Sequence, residues 1–221
     1  MHKLSFAVLA ISALLMGSAG QAGAETPTAA LTATTPAADA STIVAPKLHE
    51  AMRALWQGHV LHTREYAIAM HADNAPKANA AADAVVSNAK QIAGAVGSFY
   101  GDAAGAQMLT LLAGHWGGVK ALTDARATAD TAAQSKAMSD LAENVNAISS
   151  FLSGANPNLP ESALQGLLSA HVGHHAMQIQ QIMTDDMKGE AETWKAMKHH
   201  MDVIADALAG GIAAQFPDNV N

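Results

Sequence analysis

LWQGHV at residues 55–60 returns as LLAGHW at 111–116 and as LLSAHV at 167–172, at a constant interval of 56 residues. The same interval carries NAKQIAGAVGS (88–98) onto NVNAISSFLSG (144–154) and then onto HMDVIADALAG (200–210). His59, His115 and His171 are therefore equivalent positions, as are Ile92, Ile148 and Ile204. Two separated blocks that agree at one spacing without a gap mark an internal repeat. Its copies run over about 47–102, 103–158 and 159–214.

Each copy reads as two helices. Met52, Leu55, His59, His62 and Tyr66 advance by three or four, as do Val85, Asn88, Ile92, Val96 and Phe99, which is the spacing of one helix face. Between them lies ADNAP (72–76), where Asp73 or Asn74 suits a helix N-cap and Pro76 a first turn. TDDMKGE (184–190) breaks the third copy at the equivalent place, and a weaker break falls at 128–131 in the second. The copies are separated by FYGDAAG (99–105) and SGANPNLP (153–160). The expected fold is all-α, a six-helix up-and-down bundle built from three αα-hairpin repeats, with helices of roughly 20 residues. Hairpins closed into a ring and hairpins stacked in a line both satisfy the pattern.

The chain begins MHKLSFAVLAISALLMGSAGQAGAETP, with Lys3 ahead of an apolar run and Ala22-Gly23-Ala24 as a small-residue cleavage site. That is the pattern of a secretory signal peptide over 1–24, so the mature protein is expected to start near Glu25 and to be secreted or periplasmic. Residues 25–46 are almost all Ala, Thr and Pro and read as a disordered tether. The helical domain follows over 47–216, with a short tail at 217–221. There is no cysteine, so neither disulfides nor thiolate ligands are available. The formal charge of −7 with histidine neutral argues against nucleic acid and anionic lipid as partners. No later segment is long and apolar enough for membrane insertion.

Placed on facing helices at about 1.5 Å rise per residue, His59 and Asn88 fall at one depth. The repeat extends this layer to His115, Asn144, His171 and His200, all on apolar stripes. Buried polar groups need partners, and two uses of the layer present themselves. Histidine–asparagine hydrogen bonds can set helix register, or the imidazoles can bind metal. Departures from the repeat favour metal. Copies one and three add His62 and His174, giving H-x-x-H twice where copy two has Gly118, and copy three further adds His175, His199 and His200. Residues three or four apart share a helix face and can chelate one ion. His59, His62, His171 and His174 are the principal expected ligands, with His115, His175 and His200 as further candidates. Asn88 and Asn144 are expected to orient the imidazoles through their free ring nitrogens. Met177, Met197 and Met201 are possible soft ligands, although methionine at helical spacing also fills cores. Imidazole suits copper, zinc and nickel, and thioether favours reduced copper.

Enzymatic chemistry finds little support. No histidine has Glu three residues before it, as di-metal carboxylate bundles require, and there is neither a C-x-x-C-H haem motif nor a serine elbow. LWQGHVLHTREYAIA (55–69) and NAKQIAGAVGSFYG (88–101) resemble a loose group of uncharacterised bacterial secreted proteins, which share a tryptophan-histidine-arginine first helix. That resemblance implies an all-α fold and no activity. The expected function is a periplasmic protein binding a transition metal, copper ahead of zinc or nickel, for sequestration or delivery. The alternatives are a metal-free structural or interaction module and a non-covalent haem or small-ligand carrier.

Overall fold

A computed structural model describes residues 44–220. The expected signal peptide, residues 25–43 of the tether and Asn221 of the tail lie outside the described residues. Six helices follow in order: α1 Pro46–His71, α2 Ala75–Tyr100, α3 Asp102–Ala127, α4 Thr131–Ala155, α5 Glu161–Met183 and α6 Met187–Gln215. They run 23 to 29 residues, longer than the sequence spacing suggested. Alanine-rich ends prolong them until a turn residue intervenes. None of these helices is long and apolar enough to cross a membrane.

Short connections make successive helices antiparallel, so α1, α3 and α5 share one direction. Each helix packs on the next, and α6 returns to α1, so the bundle closes into a ring. In addition α1, α3 and α5 touch one another pairwise, while α2, α4 and α6 each lie in the outer groove between two of them. The architecture is thus a parallel three-helix centre wrapped by three antiparallel helices. This arrangement settles the choice between ring and line, and it brings the faces carrying His59, His115 and His171 to one axis.

The hairpin turns repeat in atomic detail. Asp73, Ala129 and Asp185, at intervals of 56 residues, all adopt left-handed backbone with φ of 49°, 55° and 58°. The next residue's N–H closes the turn onto the carbonyl five residues back, Asn74 to Ala69 at 2.9 Å, Asp130 to Ala125 at 2.8 Å and Asp186 to Gln181 at 2.9 Å. Those same three side chains cap the helices that follow, accepting from the N–H of Lys77, Ala133 and Gly189 at 3.1, 2.9 and 3.0 Å. The weak second break is therefore a complete turn whose left-handed position holds alanine. Left-handed backbone costs an L-residue about 1–2 kcal/mol, and Ala129 is exposed. Ala129→Gly is expected to stabilise the protein by about 1 kcal/mol, read as a higher urea midpoint with unchanged slope.

At the other end of the bundle, Asn156 is buried and donates to the Tyr100 hydroxyl at 2.8 Å, which donates in turn to Gln215 Oε1 at 3.1 Å. This chain ties the ends of α2, α4 and α6 together. After α6 a 3₁₀ turn, Pro217–Asn219, brings the tail back so that Val220 is buried.

Candidate metal centre

The middle of each axial helix carries one imidazole. His59, His115 and His171 form a near-equilateral triangle, with ring centroids 5.7, 5.7 and 5.3 Å apart. His175, one turn beyond His171 on α5, caps this triangle at 4.4 Å from His171 and 5.9 Å from each of the other two. All four are buried, with 2–4% of their surface exposed. One nitrogen from each ring lies within 4.8 Å of those of the other three, so that four buried histidines stand where they could hold a metal ion. Donors on a tetrahedral ion at about 2.0–2.1 Å stand about 3.3 Å from one another. The Nε2 atoms of His171 and His175 are already 3.1 Å apart, and pairs at up to 4.8 Å would have to close by about 1.5 Å to share one ion.

The electrostatics suit ligation. Burial pushes His59 down to about 3, helped by His115 and His62, and pushes His115 down to about 4, against a small opposing contribution from Asn144. His171 and His175 are held well below the ordinary imidazole value by burial and by their histidine neighbours. All four are neutral at physiological pH, which is the form that binds metal. His59 Nε2, His171 Nδ1 and both ring nitrogens of His115 are buried without a hydrogen-bond partner. A buried polar atom left unpartnered costs about 1–3 kcal/mol, so this concentration on one axis needs an explanation.

The remaining expected site residues lie elsewhere. His62 is turned away from the axis, and its Nδ1 sits 2.9 Å from Glu65 Oε2. His174 faces His200, with rings 5.1 Å apart, and burial followed by His200 lowers its basicity. Of the two spacings that could place a second imidazole beside an axial histidine, the structure brings the i,i+4 residue His175 to the cluster and leaves the i,i+3 residues His62 and His174 off it. Helical rotation explains this. At 3.6 residues per turn, the third residue on lies about 60° to one side of the first and the fourth about 40° to the other. The axis lies on the second side, as the buried equivalents of His175, Thr63 and Val119, show. Gly118 in copy two has a packing cause, since a Cβ there would meet Leu141 Cγ at 2.7 Å.

Asn88 and Asn144 do not reach an imidazole nitrogen in hydrogen-bond geometry. Each donates across its hairpin to a backbone carbonyl, Asn88 to Leu55 and Asn144 to Leu111, both at 2.9 Å. His200, expected as a ligand candidate, makes the corresponding contact from Nε2 to the Leu167 carbonyl at 2.8 Å. Those carbonyls lie one turn before the axial histidines and accept the same histidines' backbone N–H groups. The outer helices thus pin the turn that carries each imidazole. Small residues make room for this: a Cβ at Gly58 or Gly114 would stand 3.0 Å from the asparagine Nδ2, and Ala170 occupies the equivalent place opposite His200. Met197 and Met201 are fully buried in the α6 core and Met177 is 55% exposed.

One turn beyond His175 stands a buried ion pair that the sequence spacing did not single out. Glu190 is 1% exposed, accepts from Arg64 Nε and Nη2 at 2.6 and 2.9 Å, and accepts from Gln178 Nε2 at 2.8 Å. Arg64 also lies over the Trp194 ring, 5.2 Å from its centre. The pair locks α1 to α5 and α6 just past the cluster. Removing one partner of a buried pair strands the other charge, so Arg64→Ala is expected to cost about 3 kcal/mol in chemical denaturation.

No family model, curated protein or solved structure matches the chain. Function must be argued from the site itself.

Proposed function

We propose that the protein binds one transition-metal ion per chain through His59, His115, His171 and His175, that the ion is copper in its reduced state, and that the role is sequestration in the bacterial envelope. The observation that carries this reading is four buried imidazoles with one nitrogen each within 4.8 Å of the others, among which His59 Nε2 and both nitrogens of His115 have no hydrogen-bond partner. Helix register is already served by Asn88, Asn144 and His200 through their carbonyl contacts, while the axial His171 bonds only its neighbour on the same helix, His175, and His59 and His115 hold no helix to another by a hydrogen bond. Copper is favoured by charge. The four donors are neutral and no carboxylate belongs to the cluster, so the ion's whole charge stays in an apolar interior, where a single charge is far less costly than a double one. The leader-like first 24 residues support export.

The test is metal analysis of untagged protein. Metal-free protein is expected to take up one Cu(I) per chain, and His59→Ala combined with His171→Ala to reduce uptake to background. Tight stoichiometric binding that survives both substitutions would place the ion elsewhere. Preference for Zn²⁺ in direct competition would overturn the copper assignment.

A further inference from the structure

A small cavity adjoins the histidine cluster. It is lined by Trp56, Leu112, Leu164, Leu168 and Leu208 among other apolar side chains, and its polar boundary is the rings of His115 and His171. Its volume is about 20 Å³, room for the centre of one water-sized body. A porphyrin does not fit there. An apolar cavity of this kind gives a water too few partners and stays dry, while accepting small uncharged species such as xenon.

The position of the cavity relative to the four ligands decides its meaning. Trp56 and Leu112 stand three residues before His59 and His115, and Leu164 and Leu168 precede His171 on α5. His175 follows His171 by one turn. Since α1, α3 and α5 run parallel, His175 covers one face of the imidazole triangle and the cavity opens on the opposite face. An ion held in the triangle has His175 on one side and a dry pocket on the other. A purely storage-bound ion has no need of such a pocket. Four imidazoles complete a tetrahedral Cu(I) shell, so a ligand entering by the outward face of the triangle would take the position that His175 gives up, and the apolar lining disfavours charged competitors.

We infer that this cavity is a binding site for one small uncharged diatomic molecule of the π-accepting class (carbon monoxide, nitric oxide or dioxygen), which reaches the metal through the face of the His59–His115–His171 triangle opposite His175 and takes the fourth coordination position as the bond to His175 breaks. This rests on the proposed metal site, and the experiment separates the two. Xenon probes the cavity alone and carbon monoxide probes the cavity with the metal.

In metal-free protein, ¹²⁹Xe NMR is expected to report one saturable site per chain. In protein loaded anaerobically with Cu(I), carbon monoxide is expected to give a single infrared band at one equivalent. Leu164→Phe and, from a different helix, Leu208→Phe fill the cavity; either is expected to weaken xenon and carbon monoxide binding at least tenfold while copper stoichiometry stays at one per chain. Failure of xenon to bind wild-type protein overturns the cavity site. Copper uptake without a carbon monoxide band, or with a band unchanged in both filled variants, overturns the access to the metal. Absence of copper uptake sinks the metal reading, and the metal-facing half of this inference with it. Circular dichroism of the two variants shows whether at least one is folded, which is enough for the comparison.

Discussion

Copper-loaded protein should melt about 10 °C above metal-free protein. Ligand at a thousandfold excess over its dissociation constant stabilises the folded state by about 4 kcal/mol. For a domain of this size each kcal/mol raises the melting temperature by about 2–4 °C. The more telling result is expected from His115→Leu. Both ring nitrogens of His115 are buried and unpartnered, and replacing an unsatisfied polar side chain with an apolar one of similar volume removes that penalty. The substituted protein should therefore be more stable than wild type without metal, by about 1–2 kcal/mol, and should lose most of the copper-induced rise. Opposite signs in the two states are what a binding site held at the expense of stability produces. If His115→Leu instead lowers the metal-free melting temperature and leaves the copper response intact, the imidazole is structural.

Acid should unfold the metal-free protein at unusually mild pH. The folded state holds His59 at about 3, His115 at about 4 and His171 and His175 well below the ordinary value of 6.5, chiefly through burial. Below pH 6.5 the unfolded chain accepts protons at these four positions and the folded chain refuses them. Stability is fully present above pH 6.5 and falls as pH drops toward 4, by about 1.4 kcal/mol per pH unit for each histidine. Four together lose about 5 kcal/mol per unit, against a total of about 5–15 kcal/mol for a typical domain. The midpoint is expected between about pH 4 and 5.5 by circular dichroism. Copper, which competes with protons for the same nitrogens, should move it lower. A helical signal unchanged down to about pH 3 would contradict the buried placement of the rings.

Much of the fold was legible because a constant 56-residue interval constrains three hairpins at once. Ring closure was not, because a contact between α6 and α1 leaves no local trace in either helix. The site was legible in kind and partly in membership. His59, His115 and His171 are equivalent positions of the repeat, but the H-x-x-H spacing ranked His62 and His174 above His115 and His175, and the structure gathers the latter two with His59 and His171. His174 and His175 both continue an apolar face from His171, one at three residues and one at four. Copies one and two hold Thr63 and Val119 at the fourth place and His62 and Gly118 at the third, a weak apolar bias toward the fourth that the structure bears out by burying it in every copy. The asparagines were correctly placed in depth, but their targets were unreadable, since a carbonyl acceptor carries no sequence identity.

The four imidazoles expose no more than 4% of their surface, and that enclosure governs kinetics as well as affinity. An ion held there as proposed would meet only apolar lining beyond the imidazoles, which a charged species does not readily cross, so its departure would require the bundle to breathe. Residence time is then set by how often an outer helix lifts from its groove, and dilution alone does not empty the protein. With the proposed ion in place, such a molecule would behave as a vault rather than a ferry: filling and discharge would be slow, gated events, and any recipient collecting the cargo would first have to prise the helices apart.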